Sequence, residues 1–341
     1  MEATTLSAAT TPVRTGAHRF AMLDGWRAVS ILLVLAGHLL PLGPARFGMN
    51  AAVAEMGMAL FFTLSGFLIT RFLAEAGDLR VFIIRRFFRI VPLAWVASLV
   101  ALPMAGAAWS AYPAHLLFYA NLPPVFLVDT TAHLWSLCVE MQFYVAAAAL
   151  VAVGGRRALG LLPLFALAVT IARIATATPV SIVTWCRIDE ILAGGILALS
   201  YAGWLGPWPM RVLGRLNVYV LTALLLVCCR DLPPGFTYLR PYLAAATVGA
   251  SLVNAPRLLA RLFESRAAGY IATISYALYI IHGVARFTWL GSGPRLEHYL
   301  KLPLLLAATF GLAHLSTFRF EQPCIAIAKR LTRRFHVRPA D

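Results

Sequence analysis

The sequence predicts an all-α, polytopic transmembrane helical bundle of about ten spans with both termini cytoplasmic, and three observations carry that prediction. The first is composition. Hydrophobic residues make up 60% of the chain and charged ones 13%, with a mean hydropathy of +0.78, whereas a soluble domain is typically about a quarter charged. The second is that apolar runs of spanning length, about 17–25 residues, recur from one end to the other. The third is the confinement of most arginines to alternate loops.

The apolar runs place helices near 28–43, 53–73, 90–106, 132–153, 158–176, 181–203, 212–229, 238–254, 268–290 and 299–318. Segment 110–128 is broken by Pro113, Asn121, Pro123 and Pro124 and reads as an external loop or a re-entrant piece. A net charge of +15 would suit a nucleic-acid ligand, but its distribution argues otherwise. Arg14 and Arg19 precede the first span; Arg71, Arg80, Arg85, Arg86 and Arg89 follow the second; Arg156 and Arg157 follow the fourth. Arg211 and Arg215 follow the sixth, and Arg257, Arg261 and Arg266 the eighth. Lys329, Arg330, Arg333, Arg334 and Arg338 close the chain, and the intervening loops hold only Arg46, Arg230, Arg240, Arg295 and Lys301. This is the positive-inside pattern, and the excess charge meets anionic lipid heads rather than nucleic acid. Residues 1–20 then form a cytoplasmic tail, 21–323 the membrane domain and 324–341 a basic cytoplasmic tail. The polar first twenty residues predict no cleavable signal peptide. Cys138, Cys186, Cys228, Cys229 and Cys324 have no metal-like spacing, so no metal site and no disulfide framework are expected.

Six polar clusters interrupt the apolar pattern. Arg27 and His38 are eleven residues apart on the first span. That is three helical turns, so both share a face roughly 16 Å apart. Asp24 can pair with Arg27, an anchoring role that stays open beside a functional one, whereas a buried imidazole is a ready proton acceptor. Ser65-Gly66 falls mid-way along the second span, where a glycine admits a neighbouring helix and a serine bonds across it. Arg85, Arg86 and Arg89 lie in the loop after that span, with guanidinium geometry suited to phosphates; plain topological charge is the competing reading. His133, Ser136, Glu140 and Tyr144 make a polar stripe, with Trp135 beside it, on an otherwise apolar helix, and a buried glutamate needs a partner. Arg187, Asp189 and Glu190 imply either a polar cavity or a fixed ion cluster, with Arg187 and Glu190 able to pair within the helix. Ser275, Tyr279, His282 and Arg286 share a face near Tyr276, and Arg319 to Pro323 reads as structural.

Taken in order, these segments resemble the acyltransferase-3 family of bacterial membrane O-acyltransferases. The resemblance runs from Leu23 to Pro323 through Asp24-Gly25 with Arg27 and His38, Phe62 to Leu68, Arg85-Arg86 with Arg89 and Pro92, Trp135-Ser136-Leu137 with Glu140, Arg187 with Glu190 and Gly194, Ser275-Tyr276 with His282, and Glu321 with Pro323. Trp26, Ala28 and Met141 depart from the family pattern. Met141 stands where a second glutamate often follows Glu140 and is expected to alter the acceptor pocket.

The resemblance implies a multi-pass enzyme of the bacterial cytoplasmic (inner) membrane with no permanently bound cofactor. It would move an acyl group, most often acetyl, from acyl-CoA to a hydroxyl of a glycan, glycolipid or small molecule. Many members carry a fused SGNH-type esterase domain. This sequence is expected to lack one, and so to acylate its acceptor directly or through a separate extracytoplasmic acyl-accepting protein. On this expectation His38 is base or acyl carrier, Glu140 orients its imidazole, and Arg85, Arg86 and Arg89, helped by Arg27, clamp the CoA phosphates. Asp24, Ser65, His133, Trp135, Ser136, Arg187, Glu190, Tyr276, Tyr279 and His282 line the acceptor site or channel. The alternative is a secondary transporter or flippase that uses the buried His, Glu and Arg residues as a proton path.

Overall fold

A computed structural model describes residues 16–75 and 78–335, and no strand occurs among them. Residues 1–15 and 336–341, with Arg14 and Arg338, lie outside the described residues, as do the side chains of Arg19, Arg295 and Arg334. The helices are α1 (Gly16–Leu39), α2 (Met49–Ala74), α3 (Leu79–Met104), α4 (Ala111–Leu116), α5 (Trp135–Gly154), α6 (Leu162–Ala175) and α7 (Asp189–Tyr201). They continue with α8 (Trp208–Leu213), α9 (Val218–Cys229), α10 (Arg240–Val253), α11 (Arg257–Phe263), α12 (Arg266–Ala285), α13 (Arg295–Ser316) and α14 (Gln322–Thr332).

Among the described residues, seven helical stretches are long and apolar enough to cross a membrane, or eight if the pair bent by 97° between α10 and α11 is one span. Helix occurs in every predicted segment, but α7, α9 and α10 have only 13, 12 and 14 residues. At 1.5 Å per residue they rise about 18–21 Å, short of a hydrocarbon core of about 30 Å. Buried charge accounts for part of the difference from ten. Irregular backbone near 176–188 and 230–239 replaces the missing turns and serves buried arginines. Thr178 O and Pro179 O accept from Arg173 at 3.3 and 2.5 Å, and Thr237 Oγ1 accepts from Arg240 at 3.2 Å.

α3 runs unbroken through Arg85, Arg86 and Arg89, so these residues lie on a helix and not in a loop. Asp78 caps it by accepting from the Arg80 amide at 2.7 Å. Pro92 lies inside this helix, where the remaining backbone bonds and apolar packing outweigh one missing N–H. The ambiguous segment is the short α4 followed by irregular chain folded against α5: Gln142 donates to Phe118 O at 2.7 Å and to Asn121 Oδ1 at 3.0 Å. At the other end, α13 passes through a π turn at Thr317–Glu321 into α14, which packs on α3, so residues 324–332 are helical.

α2 is the central post, touching α1, α5, α7, α9 and α10. It lies close to α1, where Ser30 Oγ donates to Gly57 O at 2.7 Å. Gly66 faces the Ile191 carbonyl and Gly194 faces the Thr63 backbone, with no room for a side chain at either. This pair of small residues lets α2 and α7 cross backbone to backbone. Together with α12, which packs on α1 and α3, these helices enclose the polar clusters.

Candidate active site

The polar side chains of α1, α2, α3, α5 and α12 form two levels. At the first, Arg27, Ser65, Arg86, Arg89, Glu140 and Tyr144 line a cavity of about 50 Å³, with Phe61, Ser275 and Tyr276 on its wall. Ser65 Oγ and Tyr144 OH both donate to Glu140 Oε1. A carboxylate buried in an apolar helix needs such partners, and Ser65 supplies one from the level where Gly66 brings the chains together. Arg27 donates to Asp24 at 2.8 Å. The Arg86 guanidinium lies 5.5 Å over the Tyr144 ring, a cation–π contact. Tyr276 OH donates to Ile90 O at 2.6 Å. Arg89 makes no hydrogen bond or ion pair among the described residues.

Arg86 and Arg89 also line a larger cleft of about 360 Å³, where they meet Phe72, Phe82, Arg85 and, from α14, Lys329. The cleft and the cavity therefore share an arginine wall. Arg85 is exposed and donates to Thr332 Oγ1 at 3.2 Å, which ties α3 to α14.

The second level lies three turns along α1. His38, half-buried, has its Nδ1 2.9 Å from His282 Nε2. His282 Nδ1 lies 2.7 Å from Tyr279 O and 3.2 Å from Leu278 O. His133 Nε2 donates to Ile280 O at 3.2 Å, and its ring packs on Gly283, where a Cβ would collide with it. Tyr279 OH donates to His133 O and so accepts from Ser136 Oγ, 2.5 Å away. Phe61 joins the levels: it lines the cavity and stacks on Tyr279 with centroids 6.2 Å apart and planes within 9°.

Beside these levels is a charge-balanced ion cluster, in which Arg187 Nε and Nη1, Glu190 Oε2 and Arg240 Nη2 are buried without a hydrogen-bond partner among the described residues. Arg173 pairs with Asp189, Arg187 with Glu55 at 2.6 Å, and Arg240 with Glu190 at 2.6 Å and Glu55 at 3.0 Å. All but Glu55 are fully buried. Arg187 also lies 5.1 Å over the Trp135 ring.

A family model described as an acyltransferase domain matches residues 20–317. The chain belongs to the acyltransferase-3 family. It is similar to the peptidoglycan O-acetyltransferase OatA of Listeria monocytogenes serovar 1/2a, with 27% identity over 352 residues. That similarity covers 87% of this chain, which spans about half (54%) of the relative's length. No solved structure matches the chain.

Within this acyltransferase-3 chain the expected site residues are divided. Arg27, Arg86, Arg89, Ser65, Glu140 and Tyr276 meet at the cavity, with Asp24 on Arg27 and Arg85 at the cleft. His133, Ser136, Tyr279 and His282 gather at or beneath His38. Glu140 does not pair with His38: its partners are Ser65 and Tyr144, and the partner of His38 is His282. The stripe on α5 spans two levels, so its residues cannot all meet one imidazole. Trp135, Arg187 and Glu190 belong to the ion cluster. Arg187 and Glu190 are 3.6 Å apart and bond more closely to residues on other helices, because α7 begins only at Asp189. Met141 faces an apolar groove with Ile83 and Phe87 and does not line the neighbouring Glu140 cavity.

Sequence reasoning missed Phe61, Lys329, Glu55, Arg173 and Arg240 as members of these groups. Glu55 and Arg173 were visible as solitary charges inside apolar spans, which is itself a signal. Phe61 and Lys329 carried none.

Proposed function

We propose that this protein is a membrane O-acyltransferase of the bacterial cytoplasmic membrane that moves an acyl group, acetyl foremost, from acyl-CoA to a carbohydrate hydroxyl. The observation that supports this most is the excess of positive charge at the cleft and cavity. Arg85, Arg86, Arg89, Lys329 and Arg27 outnumber Asp24, Glu140 and the nearby Glu321, and Arg89 makes no hydrogen bond or ion pair among the described residues. A phosphorylated donor supplies the missing anions through charge-assisted bonds. The OatA similarity favours acetyl as the group and a cell-wall glycan as the acceptor class.

In this reading the CoA phosphates lie against the arginine wall and the pantetheine arm runs along α1 toward His38. The roughly 16 Å between Arg27 and His38 separates phosphate recognition from chemistry. His38 Nε2 takes the proton of the acceptor hydroxyl as the oxygen forms its bond to the thioester carbon. The C–S bond breaks as the tetrahedral intermediate collapses, and the imidazolium returns the proton to the departing thiolate. Glu140 keeps Ser65 and Tyr144 fixed at the cavity and balances the arginine charge. The products are an ester and free CoA thiol, and no other reactant is required.

The test is transfer from radiolabelled acetyl-CoA by the protein in lipid nanodiscs to cell-wall glycan fragments. Label should appear as base-labile ester in the glycan, and His38→Ala should abolish it while CoA still protects the protein from thermal unfolding. Full transfer by His38→Ala removes the assigned base. Absence of any CoA protection removes the donor.

A further inference from the structure

We propose that His282 is the positioning residue that fixes the tautomer of His38 and leaves His38 Nε2 as the bare lone pair that takes the acceptor's proton. This rests on the reading of His38 as the base and adds the device that makes it one.

The argument follows the protons. A backbone carbonyl can only accept, so His282 Nδ1, 2.7 Å from Tyr279 O and 3.2 Å from Leu278 O, carries its hydrogen. His282 is 1% exposed, and no carboxylate bonds to it among the described residues. A second proton there would place an uncompensated charge in the interior. Its Nε2 is therefore an acceptor. The ring nitrogen 2.9 Å away, His38 Nδ1, must be the donor. A neutral imidazole has one N–H, so the remaining nitrogen of His38 is unprotonated.

Ring geometry agrees. The two imidazole planes lie within 8° of each other with centroids 5.2 Å apart. That separation is taken up by the two ring radii and one in-plane N–H···N bond, so the rings meet edge to edge. The surroundings hold His282 in this pose. Tyr279, whose carbonyl anchors it, is pinned through its own hydroxyl to His133 O and Ser136. The His133 ring lies edge-on to His282 at 5.2 Å, admitted by Gly283. Three successive carbonyls of α12, those of Leu278, Tyr279 and Ile280, thus orient two histidines. The charged groups in reach of His38 are Arg286, immediately after α12, and Glu55 on α2. Neither hydrogen-bonds to His38 in place of His282. A carboxylate performs this orienting task in a serine-protease triad; here a backbone-anchored neutral imidazole performs it. His282 keeps its proton throughout, and the proton from the acceptor hydroxyl goes to His38 Nε2.

Two substitutions separate orientation from packing. In His282→Gln the side-chain carbonyl can reach the place of Nε2 and still accept from His38, whereas His282→Leu cannot. In nanodiscs, His282→Leu should lower kcat about 10- to 100-fold, as loss of an orienting partner does, with the donor KM within about twofold. His282→Gln should restore most of the rate. Nitrogen-15 NMR of histidine-labelled protein should show His38 protonated at Nδ1 and bare at Nε2 in the wild type and His282→Gln, and a mixture in His282→Leu. A wild-type His38 protonated at Nε2 overturns the proposal. So does a folded His282→Leu protein with normal kcat, or equal loss in both variants with no tautomer change. An active His38→Ala protein sinks the base assignment itself. An inert His38→Ala beside an unimpaired His282→Leu sinks only the role of His282.

Discussion

Replacing Arg89 with glutamine tests the donor site with little interference from the fold. Arg89 lines both the cavity and the cleft and makes no hydrogen bond or ion pair among the described residues. Its loss therefore breaks no internal bond, and the effect falls on whatever anion the guanidinium meets. A hydrogen bond to a charged group contributes about 1.5–3 kcal/mol. At tenfold per 1.4 kcal/mol, the Arg89→Gln donor KM should rise about 10- to 150-fold. Arg85→Gln is the internal control: both arginines are exposed, but Arg85 lines only the cleft and is already bonded to Thr332 at 3.2 Å. An exposed charge that already bonds within the protein and does not line the cavity contributes about 0–1 kcal/mol, so its donor KM should rise less than about fivefold. The assay is the initial rate of acetyl transfer with each substrate varied in turn, together with the CoA concentration that half-protects against thermal unfolding. Added salt should narrow the gap between wild type and Arg89→Gln, because screening weakens the same contact. A donor KM within twofold of wild type, or a rise in acceptor KM in its place, would refute phosphate recognition by α3.

Two further outcomes follow from the packing. Arg240→Leu removes the close partner of Glu190, leaving it only Arg187 at 3.6 Å, and leaves Glu55 with Arg187 alone. It should destabilise the protein by about 3–5 kcal/mol, read as an earlier unfolding transition in detergent, and adding Glu190→Leu should recover part of the loss. Phe61→Ala removes the ring between the cavity and Tyr279. The kcat/KM ratio of butyryl to acetyl donor should rise at least about tenfold, since a methylene in an apolar site is worth about 1–3 kcal/mol, and an unchanged ratio would mean the arm takes another route.

Helix content and the polar positions were legible because each depends on local pattern. Apolar runs set the helices, and three- and four-residue steps set the stripe His133, Ser136, Glu140 and Tyr144. Pairing was not legible, because it depends on the relative height of helices running in opposite directions. The resemblance pairs Glu140 with His38, yet Glu140 lies at the level of Arg27 and Ser65. Helix ends were misread where charge and apolarity conflict. Hydropathy averaged over 181–203 and passed through Arg187, Asp189 and Glu190, whereas the backbone breaks before Asp189 so that Arg187 can reach Glu55 on α2. The opposite error occurs at Arg85 to Arg89, where charge suggests a loop and the helix continues.

The two charged groups differ in charge balance. Around α7, each of Arg173, Arg187 and Arg240 has a carboxylate partner among Asp189, Glu55 and Glu190, so positive and negative charges balance within a buried shell. Such a cluster gains little from a ligand and loses much from any missing member. Along α3, cations exceed carboxylates, one arginine is unpartnered, another is held only by aromatic faces, and both line spaces that a ligand can enter. That surplus is tolerable beside solvent and anionic lipid, but it favours any molecule bringing several negative charges at fixed spacing. Above it, His38, His282 and His133 hold one another and the α12 carbonyls without an acidic partner bonded to them. On the proposed reading, charge recognition and proton transfer lie on separate levels with the Phe61–Tyr279 stack between them, so the guanidiniums of α3 do not lie against the imidazole assigned as base.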